Sequence, residues 1–217
     1  MAENTLQYRW LVKIKENLEI LFADDNAVFI AGDLFWYPHP DRRVSGPVAP
    51  DVMVVFGRPK GDRGSYRQWE EGGIAPQVVF EIRSPGNSLD EMRSKQAFYD
   101  HHGVEEYYVY DPEANRLEVW LRQDGRLVAM SHLHGWTSPR LQIRFVLTQE
   151  TLEIFDPKGR PFLSSVELAQ RLDQTQRAVE QERKQAEEAR LQAQRERQRA
   201  DQLAAQLRAL GVDPDQL

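Results

Sequence analysis

The sequence predicts an α/β or mixed α+β fold, a sheet with helices on at least one side, followed by a long C-terminal helix. Three observations carry that expectation. Short apolar runs of strand length, such as "DVMVVFG" and "QVVFEIR", alternate with stretches of helical spacing. Composition changes near residue 165, where Gln, Glu, Arg and Ala take over and no Gly or Pro follows until Gly211. The 217 residues, 41% hydrophobic and 10% aromatic, are enough for one good core plus an appendage. A folded domain is therefore expected over 1–165, and a coiled-coil helix with a short tail over 166–217.

The elements follow in order. Leu11, Ile14, Leu18, Leu21 and Phe22 recur at helical spacing and predict an amphipathic helix over about 7–22. "AVFIAGDLFWYP" reads as a strand or hairpin, followed by a Pro/Gly-rich loop to Pro50. "PDVMVVFG" is a short apolar strand opening at Asp51, and the polar stretch "RPKGDRGSYRQWEEGGIAP" leads to a strand over 77–83. Residues 88–101 suit a helix, since Met92, Lys95, Phe98 and Tyr99 recur at three-to-four spacing and Gly103 closes it. "EEYYVYDP" is the next strand, "RLEVWLRQDGRLVAM" a hairpin turning on Asp-Gly, and "RLQIRFVL" a strand with Leu141, Ile143 and Phe145 inward.

In the C-terminal helix, heptad a positions fall on Leu172, Val179, Ala186, Ala193, Ala200 and Leu207. The d positions are Leu168, Thr175, Glu182, Ala189, Glu196, Leu203 and Leu210. Two glutamates and a threonine at d weaken the seam, although the register never slips. A coiled coil and a solvated single helix both fit this pattern.

Several function classes are excluded or disfavoured. Without cysteine there are no disulfides, thiol nucleophiles or cysteine zinc sites, as suits a reducing compartment. The N-terminal stretch lacks a basic segment followed by an unbroken apolar run, and no run of 18 apolar residues occurs. No membrane association is expected, and the expected location is cytoplasmic. The net charge of −6, nearly all of it before residue 165, lacks the bulk basic footprint of a dedicated nucleic-acid binder. Local clusters can still steer a ligand. The loop carrying Arg58, Lys60, Arg63 and Arg67 with Tyr66 and Trp69 could meet phosphates and bases, with Arg63, Arg67 and Trp69 as candidate contacts, or be a solvated loop. His132 and His134 form a His-x-His with no carboxylate or cysteine close in sequence, which favours a surface loop over a metal site.

The chemistry concentrates in "VVFEIRSPGNSLDEMRSKQAFYD", residues 78–100. Strand alternation puts Val78, Phe80 and Ile82 on one face and Val79, Glu81 and Arg83 on the other. A carboxylate inside such a strand is costly unless a cation or hydrogen bonds compensate it, and an ion pair with Arg83 is one solution. About thirty residues earlier, Asp51 opens another apolar strand. Two carboxylates from adjacent strand ends can hold one hard cation such as Mg2+ or Mn2+, and a nearby lysine adds positive charge where a phosphate is attacked.

"APDVMVV", "PQVVFEIRSPGNS", "RSKQAFYDHHGVEEYYVYDP" and "GWTSPRLQIRF" together resemble the Uma-type family of restriction endonucleases, within the PD-(D/E)XK nuclease superfamily, over roughly residues 7–165. The resemblance implies a restriction-endonuclease-like central mixed sheet flanked by helices and a Mg2+-dependent (or Mn2+-dependent) endonuclease hydrolysing DNA. Asp51 matches the first acidic position and Glu81 the second, with the backbone carbonyl of Ile82 also facing the metal. The superfamily's lysine stands two residues after the glutamate, where this chain has Arg83, which cannot act as a base. Lys95 on the following helix fits the family's migrated lysine, with Tyr99 beside it on the same helix face. Arg83 could serve phosphate binding or pair with Glu81. Glu16 and Glu19 are candidates for an acidic residue contributed by the first helix. The resemblance also implies a homodimer, to which the C-terminal helix contributes. The alternative is a catalytically inactive nuclease fold serving as an oligomeric assembly or interaction module.

Overall fold

The computed structural model describes residues 4–209. The chain divides into two compact units, Met1–Ser164 and Ser165–Leu217.

In the first unit, α1 (Thr5–Leu21) starts where Asn4 caps it, its side chain accepting the Gln7 backbone N–H at 2.8 Å. The chain then runs β1 (Val28–Gly32), β2 (Trp36–Tyr37), β3 (Val52–Phe56), β4 (Tyr66–Arg67), β5 (Val78–Ile82), α2 (Leu89–His101), β6 (Glu106–Asp111), β7 (Arg116–Gln123), β8 (Arg126–Ala129), β9 (Arg144–Leu147) and β10 (Leu152–Phe155). Six strands form the central sheet in the order β1-β3-β5-β6-β7-β8. β5 and β6 run parallel, joined by α2, and every other neighbouring pair in this sheet is antiparallel. The hairpin β7–β8 turns on Asp124 and Gly125, both at positive φ (48° and 82°), as a two-residue primed turn requires.

Both faces of the sheet are covered, which explains why β5 reads as a continuous apolar run and is buried along its whole length. On one face, Val52, Val54, Val78, Phe80 and Ile82 pack with Trp10, Leu11, Ile14 and Leu18 of α1 and with Phe145, Leu152 and Ile154 of the β9–β10 hairpin. Phe80, Tyr108 and Phe145 stack there with ring centroids 4.8 and 4.9 Å apart. On the other face, Met53, Val55, Val79, Tyr107 and Val109 pack with Tyr99 of α2 and with Trp36 and Tyr66 from the small parallel pair β2–β4. The alternation within residues 78–83 thus sends its two sets of side chains into two separate cores.

Three local readings change. "AVFIAGDLFWYP" forms two strands rather than a hairpin, because β1 pairs with β3 and Trp36 pairs with Val48 and Tyr66. In "RLQIRFVL", Leu141, Ile143 and Phe145 are inward as predicted, yet the regular strand starts only at Arg144 because Gln142 takes a positive φ of 57°. The polar stretch after β3 contains β4 and a 3-10 turn over Gln68–Glu70. Its strand partner β2 lies thirty residues earlier, a long-range pairing that local sequence pattern does not carry. The β10 strand is a further element that sequence pattern left unassigned.

The second unit is one helix, α3 (Ser165–Ala209), with Leu172, Val179 and Leu203 60%, 59% and 62% exposed. The predicted end of the helix at Leu210, Gly211 and Pro214 lies outside the described residues. Among those described, no helix is long and apolar enough to cross a membrane.

Candidate active site

Strand register assembles the site. β3 and β5 pair antiparallel, with Val52 opposite Phe80. One step along the same register brings Asp51 against Glu81, where directly opposed side chains approach to about 5 Å. Gly32, opposite Val52, admits α1 closely at this end, since a Cβ there would lie 3.0 Å from Leu11 Cδ2 and 3.4 Å from the Asp51 carbonyl oxygen.

Glu81 is only 2% exposed, and both its oxygens are bonded from α2. Lys95 Nζ lies 2.8 Å from Oε2, and the Tyr99 hydroxyl donates to Oε1 at 2.5 Å. One turn of helix separates the two donors, so a single packed face of α2 delivers both. Ser88 fixes where that helix begins, its hydroxyl accepting the Glu91 N–H at 3.1 Å. Asp51 is 6% exposed, and its Oδ2 accepts the Ile82 backbone N–H at 2.6 Å. The Gln7 amide reaches in from α1, with Nε2 at 3.0 Å from the Ile82 carbonyl oxygen and at 3.4 and 3.5 Å from the Asp51 carboxylate oxygens.

Burial dominates the electrostatics. It pushes the Glu81 carboxyl up to about 7, helped by the charge of Asp51 and opposed by Lys95. Burial also raises Asp51, against the Ile82 N–H, Lys95 and Gln7. For Lys95, burial alone would lower the pKa, but Glu81 and Asp51 outweigh it and hold the ammonium charged. Burial, reinforced by Glu81, keeps the Tyr99 and Tyr107 phenols neutral.

The donor set suits a hard cation. Asp51, Glu81 and the Ile82 carbonyl offer oxygen alone, the chemistry Mg2+ or Mn2+ requires. The neutral Gln7 Nε2 donor lies within hydrogen-bonding reach of three of these oxygens, so the acceptors already converge on one point. Among the described residues no three His, Cys, Asp or Glu side chains converge. A metal here would rest on two carboxylates, completed by carbonyl oxygen and water.

The structure thus brings together Asp51, Glu81, Ile82, Lys95 and Tyr99. Arg83 does not pair with Glu81; its guanidinium faces Asp111 at 3.7 Å, because Lys95 and Tyr99 already occupy the glutamate. Glu16 and Glu19 are not brought in. They pair with Lys15 at 3.1 and 3.6 Å, nine and twelve residues past Gln7, roughly 13 and 18 Å along the helix axis. Gln7 takes the α1 place instead. Its signal was present in the sequence: Gln7, Leu11, Ile14 and Leu18 form one stripe, and a polar residue on a buried stripe needs a buried partner.

The basic loop makes its contacts elsewhere. Arg63 is bound to Glu71 at 2.6 Å and lies over the Phe29 ring at 4.0 Å, so it is largely spent on structure. Arg67 pairs with Glu70 at 3.2 Å, and Trp69 is 39% exposed. His132 and His134 are exposed and outside any strand.

The sequence profile of the Uma2 family, described as "Putative restriction endonuclease", matches residues 3–150. Among solved structures, the chain is similar to a "putative nuclease belonging to DUF820" from Anabaena variabilis ATCC 29413, at 13% identity and a TM-score of 0.47, covering 64% of this chain and 74% of that one. No curated protein matches.

Proposed function

The chain belongs to the Uma2 family, and from that premise we propose that it is a divalent-metal-dependent endonuclease hydrolysing the phosphodiester bonds of DNA. One observation carries this reading: two buried carboxylates meet at adjacent strand ends with a charged lysine 2.8 Å from one of them. Asp51, Glu81 and the Ile82 carbonyl would hold Mg2+ or Mn2+, with Gln7 beside them. When bound, such an ion lowers the pKa of its water and offsets charge on the phosphate.

The remaining roles belong to the chain. Tyr99 orients the Glu81 carboxylate and, with the packed face of α2, keeps bulk water from it. Lys95 acts as a cation rather than a base, since its neighbours hold the ammonium protonated; its charge is placed to stabilise a phosphate approaching Glu81.

Incubated with supercoiled plasmid and with single-stranded DNA in Mg2+ or Mn2+, the wild-type protein should produce cuts that EDTA abolishes, and Asp51→Asn should produce none. An uncut substrate with wild type, or equal cutting by both proteins, would refute the proposal.

A second reading concerns α3. Leu172, Val179 and Leu203 stay exposed on a 45-residue helix, more apolar surface than a solitary polar helix needs to show. We propose that this helix pairs with a second copy to form a homodimer. Light scattering should give the mass of a dimer for wild type and of a monomer for a Val179→Glu/Leu203→Glu variant. A monomeric wild type, or a variant that stays dimeric, removes this assignment.

A further inference from the structure

The short strand β2 divides its side chains between core and solvent. Trp36 is fully buried against Phe98 and Tyr99, so strand alternation turns Phe35 and Tyr37 to the opposite, outward side. There the two rings lie 6.2 Å apart at 49°. The Arg42 guanidinium sits over the Tyr37 ring at 5.1 Å and donates to its hydroxyl at 3.4 Å. Arg43 takes Asp41 at 2.7 Å, which leaves Arg42 with no carboxylate partner among the described residues. Phe35, Tyr37 and Arg42 thus form a short surface row of flat groups that ends in an uncompensated positive charge.

This row stands beside the carboxylates. Of the Phe, Tyr and Trp side chains among the described residues, the markedly exposed ones are Tyr8, Phe35 and Trp69, at 58%, 53% and 39%. Two of the three adjoin groups bonded to Asp51. Tyr8 follows Gln7, whose amide meets the Asp51 carboxylate and the Ile82 carbonyl. Phe35 lies two residues past Asp33, whose backbone N–H reaches the Asp51 carbonyl oxygen at 3.2 Å. Two residues of chain span at most about 7 Å. Tyr8 and Asp33 also line one pocket of about 320 Å3, with Leu11 and Val12 as its apolar side. Neither Tyr8 nor Phe35 packs into either core, so the fold does not account for them.

We propose that Tyr8 and the row Phe35, Tyr37 and Arg42 bind a single-stranded stretch of the nucleic-acid substrate, with unstacked bases on the rings and a phosphate at Arg42. This rests on the nuclease reading above and names its substrate class: unpaired rather than duplex nucleic acid. The chemistry selects that occupant. Every base has a flat face that an aromatic ring can stack on, and a duplex keeps those faces inside its own stack. The pocket beside Tyr8 also carries Glu16 and Asp33, which repel phosphate, so base faces rather than backbone meet the rim there. At the other end of the row, Arg42 supplies the charge that a phosphate needs.

Fluorescence anisotropy of the full chain in EDTA tests this, with a labelled oligothymidylate of about 15 nucleotides and a duplex of the same length as probes. The single strand should bind about tenfold or more tightly than the duplex. Phe35→Ala should weaken the single strand by about tenfold and leave the duplex unchanged, the loss of one base stack. Phe35→Trp, which restores a flat face, should recover the loss. Arg42→Gln should lower the slope of log affinity against log salt by about 0.7, the share of one phosphate on a single strand, whereas Phe35→Ala should leave that slope alone. Equal affinity for the two probes, or unchanged single-strand binding in Phe35→Ala, would overturn the platform. A wild-type dimer that Phe35→Ala dissociates with DNA binding intact would overturn it too, because the ring would then serve a second copy. The two proposals fail separately: DNA cutting without single-strand preference removes the platform alone, and a Phe35-dependent preference in a protein that cuts nothing supports the platform while removing the nuclease.

Discussion

Replacing Glu81 by Gln is expected to shift unfolding free energy in the variant's favour by about 3 kcal/mol between pH 5 and pH 8, relative to wild type. The folded carboxyl titrates at about 7, against an ordinary value of 4.5, because it is buried beside Asp51. Between those two values the folded state holds a proton that the unfolded chain has released. Stability from this group is therefore complete below pH 4.5 and is lost as pH rises through 7. A separation of about 2.5 units at about 1.4 kcal/mol each gives the size of the change. Glutamine does not titrate, so it lacks this slope. Asp51 is raised in the same direction but remains in both proteins, and to first order cancels. Urea denaturation across this pH range measures the difference between variant and wild type, and a flat difference would show that Glu81 is not held protonated by its surroundings. Its place was legible in part, since a glutamate inside an apolar run has few tolerable environments; the cost itself comes from α2 packing over it.

Glu106→Ala is expected to lower stability by about 3–5 kcal/mol, with the cost falling at the opposite end of the sheet. Glu106 is 2% exposed and accepts from three groups: the Tyr108 hydroxyl at 2.8 Å, the Ser138 hydroxyl at 2.5 Å and the Arg140 backbone N–H at 2.6 Å. Removing the carboxylate strands these donors in a core with nothing to replace it, and each stranded donor costs about 1–3 kcal/mol. Ser138 also accepts the Leu141 N–H at 2.9 Å, so the loss spreads into the turn that carries Leu141 and Ile143 into the core. Glu106→Gln, which keeps one acceptor oxygen, should cost clearly less. The denaturation midpoint should fall with an unchanged slope in urea, as expected when stability alone changes. A midpoint within the error of wild type would mean that water or neighbouring groups satisfy these donors.

Glu106 also shows where sequence reasoning stopped. Both it and Glu81 are glutamates in apolar strand segments, but only Glu81 has a lysine at helical distance downstream and a second acid thirty residues upstream. The partners of Glu106 come from residues 138–140, in a loop with no periodic pattern, so no local signal pointed to them. The same limit applies to the site. Asp51, Glu81, Lys95 and Tyr99 were legible because strand alternation and one helical turn fix their directions. Arg83 was placed on the correct face, but its partner was not, because Asp111 belongs to the neighbouring strand β6 and the pairing of β5 with β6 is not written in either segment.

By itself, the sequence determined the alternation of β5, the amphipathic stripe of α1, the Asp-Gly hairpin and the uninterrupted C-terminal helix, since each depends on local period or turn chemistry. Tertiary structure alone decided that Gln7, rather than Glu16 or Glu19, stands beside Asp51, that Lys95 and Tyr99 together saturate Glu81, and that the Tyr107 hydroxyl is buried without a partner among the described residues. Those outcomes depend on strand register and on where α1 and α2 settle against the sheet. Both are fixed by the packing of two cores against each other, and residues far apart in the chain determine that packing together.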